Sequence, residues 1–311
     1  MYLRPALPVI LLLTLAAPRL HAQDLAPPPP TLEAVHPGLS FGPLRQASLV
    51  PLPEDLLIRA QDLTITEEQV AAEIAEAGED LNLRSVLEKN APYLAERLAV
   101  KALLLSEARA WAQARNQPVE WESPASLVET YLRSLVEQVV ITSEELKAFY
   151  TANRAMFPDT TYEQVAEQLR TYLLSQKEDR FIEAHVNSLS ERVPVEVNAA
   201  WFQTHAPTAL DTPVDQARRS GKPSLIDFGA GGCLDCDRMT PLLEDLRQFC
   251  GERANVLFVS VRDHPLLGAR YNVRGIPLQI VFDAQGREVL RHEGFWPREA
   301  MITELAKLGV Q

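Results

Sequence analysis

Between Thr66 and Val193, apolar residues return every three or four positions. Leu94, Leu98, Ala102 and Leu105 make one stripe. Leu127, Tyr131, Leu132 and Leu135 make a second, and Val165, Leu169, Leu173, Ile182, Val186 and Leu189 a third. Helix starts punctuate the stripes. Thr66-Glu67-Glu68-Gln69, Thr142-Ser143-Glu144-Glu145 and Thr160-Thr161-Tyr162-Glu163-Gln164 have capping-box spacing, and Ser123-Pro124 pairs a cap with a first-turn proline. The pattern predicts an all-helical region flanked by short strands at Leu56–Ala60 and Pro194–Asn198, whose pairing it leaves open. After residue 210 the period changes. Pro223–Phe228, Val256–Val261 and Leu278–Phe282 read as buried strands, and Ala284-Gln285-Gly286-Arg287 as a hairpin turn into Val289–His292. Helical patterns fill Asp211–Arg219, Cys233–Cys250, Leu266–Tyr271 and Glu299–Leu308. The expected fold class is therefore multidomain, an N-terminal all-α lobe followed by a C-terminal α/β domain.

The first 54 residues follow neither period. Met1–Ala22 places Arg4 before an apolar run and ends on a small residue, the layout of a secretory signal peptide cleaved after Ala22. The run of roughly a dozen residues is short for a span of about 20, and no cysteine follows it for lipid attachment. Residues 23–54, with Ala26-Pro27-Pro28-Pro29-Pro30 near their start, read as a Pro-rich linker acting as an extended spacer. The expected domains are thus 1–22, 23–54, 55–200 and 210–311, with Ala199–Thr212 as a joint. Export places the protein in the periplasm or a comparable compartment, where a dithiol needs a partner to set its state.

Composition narrows the partners. The 311 residues are 46% apolar, enough for real cores, and carry a net charge of −12. From Leu210 onward lie 14 of the 42 acidic and 13 of the 30 basic residues, so the upstream part carries nearly all the negative charge. That field argues against nucleic acid as a partner.

The chemistry concentrates in Lys222–Pro241. Three glycines (Gly229, Gly231, Gly232) break an apolar strand, and Cys233-Leu234-Asp235-Cys236 opens a helix. Two cysteines at that spacing can close a small disulfide ring, and the helix N-terminus biases the first sulfur towards thiolate. A C-x-x-C pair can also be half of a zinc site, but that needs about four ligands, and only Cys250 and His264 are further candidates. Cys250 reads as a buried apolar thiol.

Residues 210–311 resemble the thioredoxin family over essentially their whole length. Four features agree: the Cys233/Cys236 pair, Asp227 six residues ahead on the strand, Pro241 in the active-site helix, and Ile276-Pro277 before Leu278-Gln279-Ile280; Gly294 also fits. The resemblance implies a thiol-disulfide oxidoreductase without a cofactor beyond the redox-active disulfide. Cys233 is then the attacking thiolate, Cys236 the buried resolving thiol and Asp227 the carboxylate exchanging its proton. A cis Ile276-Pro277 bond leaves neighbouring backbone to pair with substrate. The family's tryptophan before the first cysteine is Gly232 here, its aromatic after the strand's phenylalanine is Gly229, and its Gly-Pro is Leu234-Asp235, followed by Asp237. These carboxylates oppose thiolate formation, with Arg238 an offset, so a reductase or isomerase is expected over a strong oxidant.

Upstream, Ile58–Val70, Leu94–Gln117 and, closest, Val140–Phe157 resemble the non-catalytic helical lobe of SurA/parvulin-type periplasmic folding factors. The isomerase domain that commonly follows is missing, since Pro158-Asp159-Thr160 alone separates Phe157 from the next helix, and no prolyl isomerase activity is expected. The resemblance implies a lobe that holds unfolded or extended, cysteine-containing exported proteins, with a thiol protein as electron donor or acceptor. The bland reading of the stripes is internal core in a spacer or dimerisation lobe. The altered residues around the cysteines leave a second function open, a redox-inactive chaperone or scaffold.

Overall fold

Side-chain caps fix where the long helices begin. Thr66 Oγ1 accepts the Gln69 N–H at 3.3 Å while Gln69 Oε1 accepts the Thr66 N–H at 2.8 Å. Thr142 and Glu145 repeat the exchange, Ser123 makes it with Ser126, and Gln164 Oε1 accepts the Thr161 N–H at 2.8 Å. The computed structural model describes residues 27–61, 63–116, 121–154, 157 and 159–311. The signal-peptide reading of residues 1–22, the start of the 23–54 spacer, Gln117 and Pro158 lie outside the described residues.

The N-terminal part contains α1 (Leu32–Val35), α2 (Glu67–Ala75), α3 (Leu81–Lys89), α4 (Ala91–Ala114), α5 (Pro124–Val136), α6 (Ser143–Ala152), α7 (Tyr162–Arg192) and α8 (Ala199–Ala209). It is mostly helical but not all-α. Strands β1 (Ser48–Val50), β2 (Leu56–Ala60), β3 (Leu63–Thr66) and β4 (Glu196–Asn198) form a mixed sheet in the order β1-β4-β2-β3. The two strands anticipated from sequence do pair, β2 with β4, and β1 adds in parallel to β4 with Ser48 opposite Glu196. A pairing between residues so far apart leaves no local periodicity to read. For the same reason the spacer reading of 23–54 fails for its described part: Leu32, Leu39, Leu44 and Leu49 are buried in the same core as Leu57, Ile58, Leu94, Val197 and Phe202. The joint at 199–212 also belongs to that core, because α8 buries Trp201, Phe202 and Ala206 despite its internal Pro207. Among the described residues, no helix is long and apolar enough to cross a membrane.

The C-terminal part follows as α9 (Pro213–Arg218), β5 (Ser224–Gly229), α10 (Leu234–Cys250), β6 (Asn255–Ser260), α11 (Pro265–Arg270), β7 (Leu278–Phe282), β8 (Glu288–Glu293) and α12 (Arg298–Lys307). The sheet order is β6-β5-β7-β8, with β5 parallel to β6 and antiparallel to β7. Alternation along β5 divides the core. Leu225 packs with Met239, Leu246 and Leu305 of α10 and α12, while Ile226 and Phe228 pack with Val214, Leu267 and Tyr271 on the α9/α11 face.

A strap at residues 36–44 joins the two parts. On one side Glu96 of α4 accepts the Ser40 hydroxyl at 2.5 Å, and burial pushes this carboxyl up to about 7. On the other, the Arg270 guanidinium donates to Gly38 O at 2.6 Å, to Ala209 O at 3.2 Å and to both Asp215 oxygens at 2.5 and 2.9 Å. Phe41 lies 4.6 Å from the Tyr271 ring with the Arg218 guanidinium over it. A second, thinner contact runs from mid-α7. Asp179 pairs with Arg274 at 2.7 Å, and Gln176 donates to Glu293.

Asp215 and Arg270 are 1% and 5% exposed, so deleting one partner strands a charge in the interior. Arg270→Ala is expected to lower the unfolding free energy by about 3–5 kcal/mol and to open residues 36–44 to proteolysis. Urea titration with limited digestion checks both, and a loss under 1 kcal/mol with an intact strap refutes the assignment.

Candidate active site

The β5–α10 turn places the cysteines. Strand β5 is buried along its whole length, and three glycines release the chain so that α10 starts at Leu234 with Cys233 as its cap residue. Cys233 Sγ accepts the Cys236 N–H at 3.3 Å, and the two sulfurs are joined in a disulfide. Cys233 is partly exposed, whereas Cys236 is 3% exposed. Pro241 lies inside α10, one turn beyond the pair.

Beside the disulfide, the Ile276–Pro277 bond is cis, and the Ile276 carbonyl oxygen sits 3.9 Å from Cys233 Sγ. Pro277 is buried, and its carbonyl accepts the Gly294 N–H at 2.8 Å, which ties the proline loop to the end of β8. Arg238 donates to Asp235 at 2.9 Å and lies 4.3 Å from the Phe295 ring centre. Its charge is thus engaged by one of the two carboxylates it was expected to offset, while Asp237 is exposed.

Behind the pair, Asp227 and Gly229 share the β5 face that looks onto α10. A Cβ on Gly229 would lie 3.4 Å from Cys236 Sγ and 2.8 Å from Phe258 Cε2, so that face points at the inner cysteine. Asp227 is fully buried, with Oδ1 accepting the Gln279 amide at 2.7 Å. Burial pushes its carboxyl up to about 6, while the Gln279 hydrogen bond pulls the other way. The structure therefore brings Cys233, Cys236, Ile276 and Pro277 together, with Asp227 one step deeper. Cys250 is a buried free thiol at the far end of α10, and burial raises its pKa. Among the described residues no three His, Cys, Asp or Glu side chains gather as a metal site.

Sequence reasoning missed Gln279 and Phe258. The signal for Gln279 was a single polar residue inside the apolar run Leu278–Phe282. Phe258, 45% exposed, faces the space over Gly229 that the family's aromatic would need. Gly232 has φ +79°, a conformation strained for any residue with a side chain, which accounts for the missing tryptophan before Cys233. A separate cleft of about 560 Å³ opens between α4 and α5, lined by Leu105, Trp121 and Leu127 among others, and none of its lining residues lies beyond 127.

The native Asp227 carboxyl binds its proton more tightly than an unfolded one at about 3.9. Between those two values the native state holds more protons, so stability falls as pH rises from about 4 to 6 and stays lower above. Asp227→Ala is expected to remove that fall. Relative to wild type, the variant gains on the order of 3 kcal/mol between pH 4 and pH 8 in urea titrations of the oxidised protein. A difference independent of pH refutes it.

Residues 210–309 match the model of a thioredoxin-like domain family. Thioredoxin of Alicyclobacillus acidocaldarius is 31% identical over 99 residues, 32% of this chain and 93% of that protein. Thioredoxin of Staphylococcus aureus is 35% identical over 97 residues, 31% of this chain and 91% of that protein. A solved mutant thioredoxin from Halobacterium salinarum is 26% identical, covers 32% of this chain and 83% of that one, and superposes with a TM-score of 0.29. The family match and the two thioredoxin sequences support a thiol-disulfide oxidoreductase kind of enzyme and leave its direction open. Through its C-terminal hundred residues, the chain belongs to the thioredoxin family.

Proposed function

We propose that the protein is an exported thiol-disulfide oxidoreductase that reduces or isomerises disulfides in client polypeptides held by its helical part. One observation carries the redox reading: a disulfide at the start of α10 with a buried, high-pKa carboxyl behind it and the cis-proline backbone beside it. In the reduced enzyme the Cys233 thiolate attacks a client disulfide, forming a mixed disulfide and releasing one client thiolate. Cys236 passes its proton to ionised Asp227, and the resulting thiolate attacks Cys233 Sγ. The second client sulfur leaves as thiolate, both client thiolates are protonated, and two electrons have moved from the enzyme dithiol to the client. A donor thiol protein restores the dithiol. Asp235 and Asp237 beside Cys233 disfavour its thiolate, which supports a reducing or isomerising direction.

The role of the helical part is supported by α7. Its bonds to Arg274 and Glu293 fall two residues before Ile276, whose carbonyl lies beside Cys233, and one before Gly294, which is bonded to Pro277. A client lying along α7 is thereby delivered to the disulfide at raised local concentration. Export is supported by the Met1–Ala22 pattern, and the mature exported chain is expected to begin at Gln23, read by intact mass; an unprocessed chain retained in the cytoplasm refutes it.

Cys236→Ala is expected to abolish dithiol-dependent insulin reduction and to accumulate client adducts through Cys233, resolved by non-reducing gels. In the same assay, Gln176→Ala with Asp179→Ala should slow reduction of an unfolded client several-fold and leave a small aromatic disulfide unaffected. Absence of adducts and of insulin reduction, with a pair that resists reduction, would overturn the enzyme and leave the redox-inactive chaperone.

A further inference from the structure

Only six buried side-chain nitrogen or oxygen atoms among the described residues lack a hydrogen-bond partner, and two of them belong to one bonded pair of side chains: Asp227 Oδ2 and Gln279 Oε1. The two residues face each other across β5 and β7 in directly opposed register and are both fully buried. Their single hydrogen bond uses Asp227 Oδ1 and the Gln279 amide nitrogen, at 2.7 Å. The remaining oxygens are both acceptors, so neither can satisfy the other. The face is the one whose next outward position is Gly229, where an added Cβ would lie 3.4 Å from Cys236 Sγ. One strand repeat, roughly 7 Å along β5, thus separates the orphaned carboxylate oxygen from the level of the inner cysteine. An apolar residue at 279 would fill the same space in the run Leu278–Phe282 without any of these consequences.

We propose that Gln279 is a positioning residue for the proton that leaves Cys236: its amide N–H fixes Asp227 Oδ1 and leaves Oδ2 as the oxygen that receives the proton. The step balances within the pair, with the Cys236 S–H broken, the Asp227 O–H formed and no net charge entering the site. Gln279 is not a catalytic residue here, since it touches neither sulfur. It acts through Asp227, by stabilising the ionised form that must exist before Cys236 can give up its proton. Losing the donor therefore shifts the acid limb of the resolving step to higher pH.

This inference rests on the oxidoreductase reading, and its test separates the two. Full-length wild type, Gln279→Met and Gln279→Leu are compared, with Gln279→Leu as the second packing solution should methionine disturb the strand. The carbon NMR titration of the Asp227 carboxyl is followed in the oxidised protein, and the rate of mixed-disulfide resolution is followed against pH with a small disulfide. The expected result is an Asp227 midpoint raised by about one pH unit in both variants. The acid limb of resolution should rise in parallel, resolution should slow about tenfold at pH 5 and about twofold at pH 7, and attack by Cys233 should be unchanged. In an Asp227→Asn background the same substitutions should cause no further slowing. Unchanged midpoints and profiles, or equal slowing in the Asp227→Asn background, would overturn the proposal. A raised midpoint in a protein without any thiol exchange would refute the oxidoreductase reading and still support the Gln279–Asp227 coupling.

Discussion

The Arg270 guanidinium is the point at which the two halves of the molecule are made one. Its five donors reach the last carbonyl of α8, the strap at Gly38 and both oxygens of Asp215, in an environment with almost no water. Such a group is tolerated only when every donor is used, because an unpaired buried charge costs several kcal/mol. Satisfying it dictates where the strap crosses, where α8 stops and how α9 lies against the sheet. Glu96 holds the same strap from the opposite side. Arg270 also ends α11, and seven residues later the chain reaches Pro277, so the anchoring of the helical part and the placement of the proline loop share one foundation.

A second buried charge obeys a different logic. Asp227 has one partner where Asp215 has several, and its environment favours the neutral acid. Stability alone would put an apolar residue there, next to Leu225. A carboxyl kept half-willing to ionise near neutral pH is what proton exchange with a thiol requires. On the proposed mechanism, the domain keeps its paired charge for architecture and its poorly paired one for chemistry.

The residues differ in how openly they announce themselves. Cys233 and Cys236 lie in a short segment whose chemistry is local, so they were legible along the chain, as were the capped helices, whereas Asp227 and Pro277 stood out only through the resemblance to the thioredoxin family. The strap and β1 were not, because Leu32, Leu39 and Leu44 gain their meaning from partners at Leu94, Val197 and Phe202, far away in sequence. In α4 the buried face is wider than the stripe at Leu94, Leu98, Ala102 and Leu105, taking in Ala95, Ala99, Leu103 and Ala108, since neighbours press on it from several sides. Gln279 was visible only as an interruption in an apolar strand, a mark without meaning until Asp227 appears opposite it.

Gly229 and Gly232 carry a consequence for how this sequence and its relatives can interconvert. An aromatic at 229 requires the half-exposed Phe258 ring to swing aside or shrink, and a tryptophan at 232 is strained while the turn keeps its positive φ. Single-step grafts of the common thioredoxin residues into this loop therefore pass through clashing or strained intermediates. The surroundings of these two glycines, as much as the incoming side chains, decide whether such a graft is tolerated.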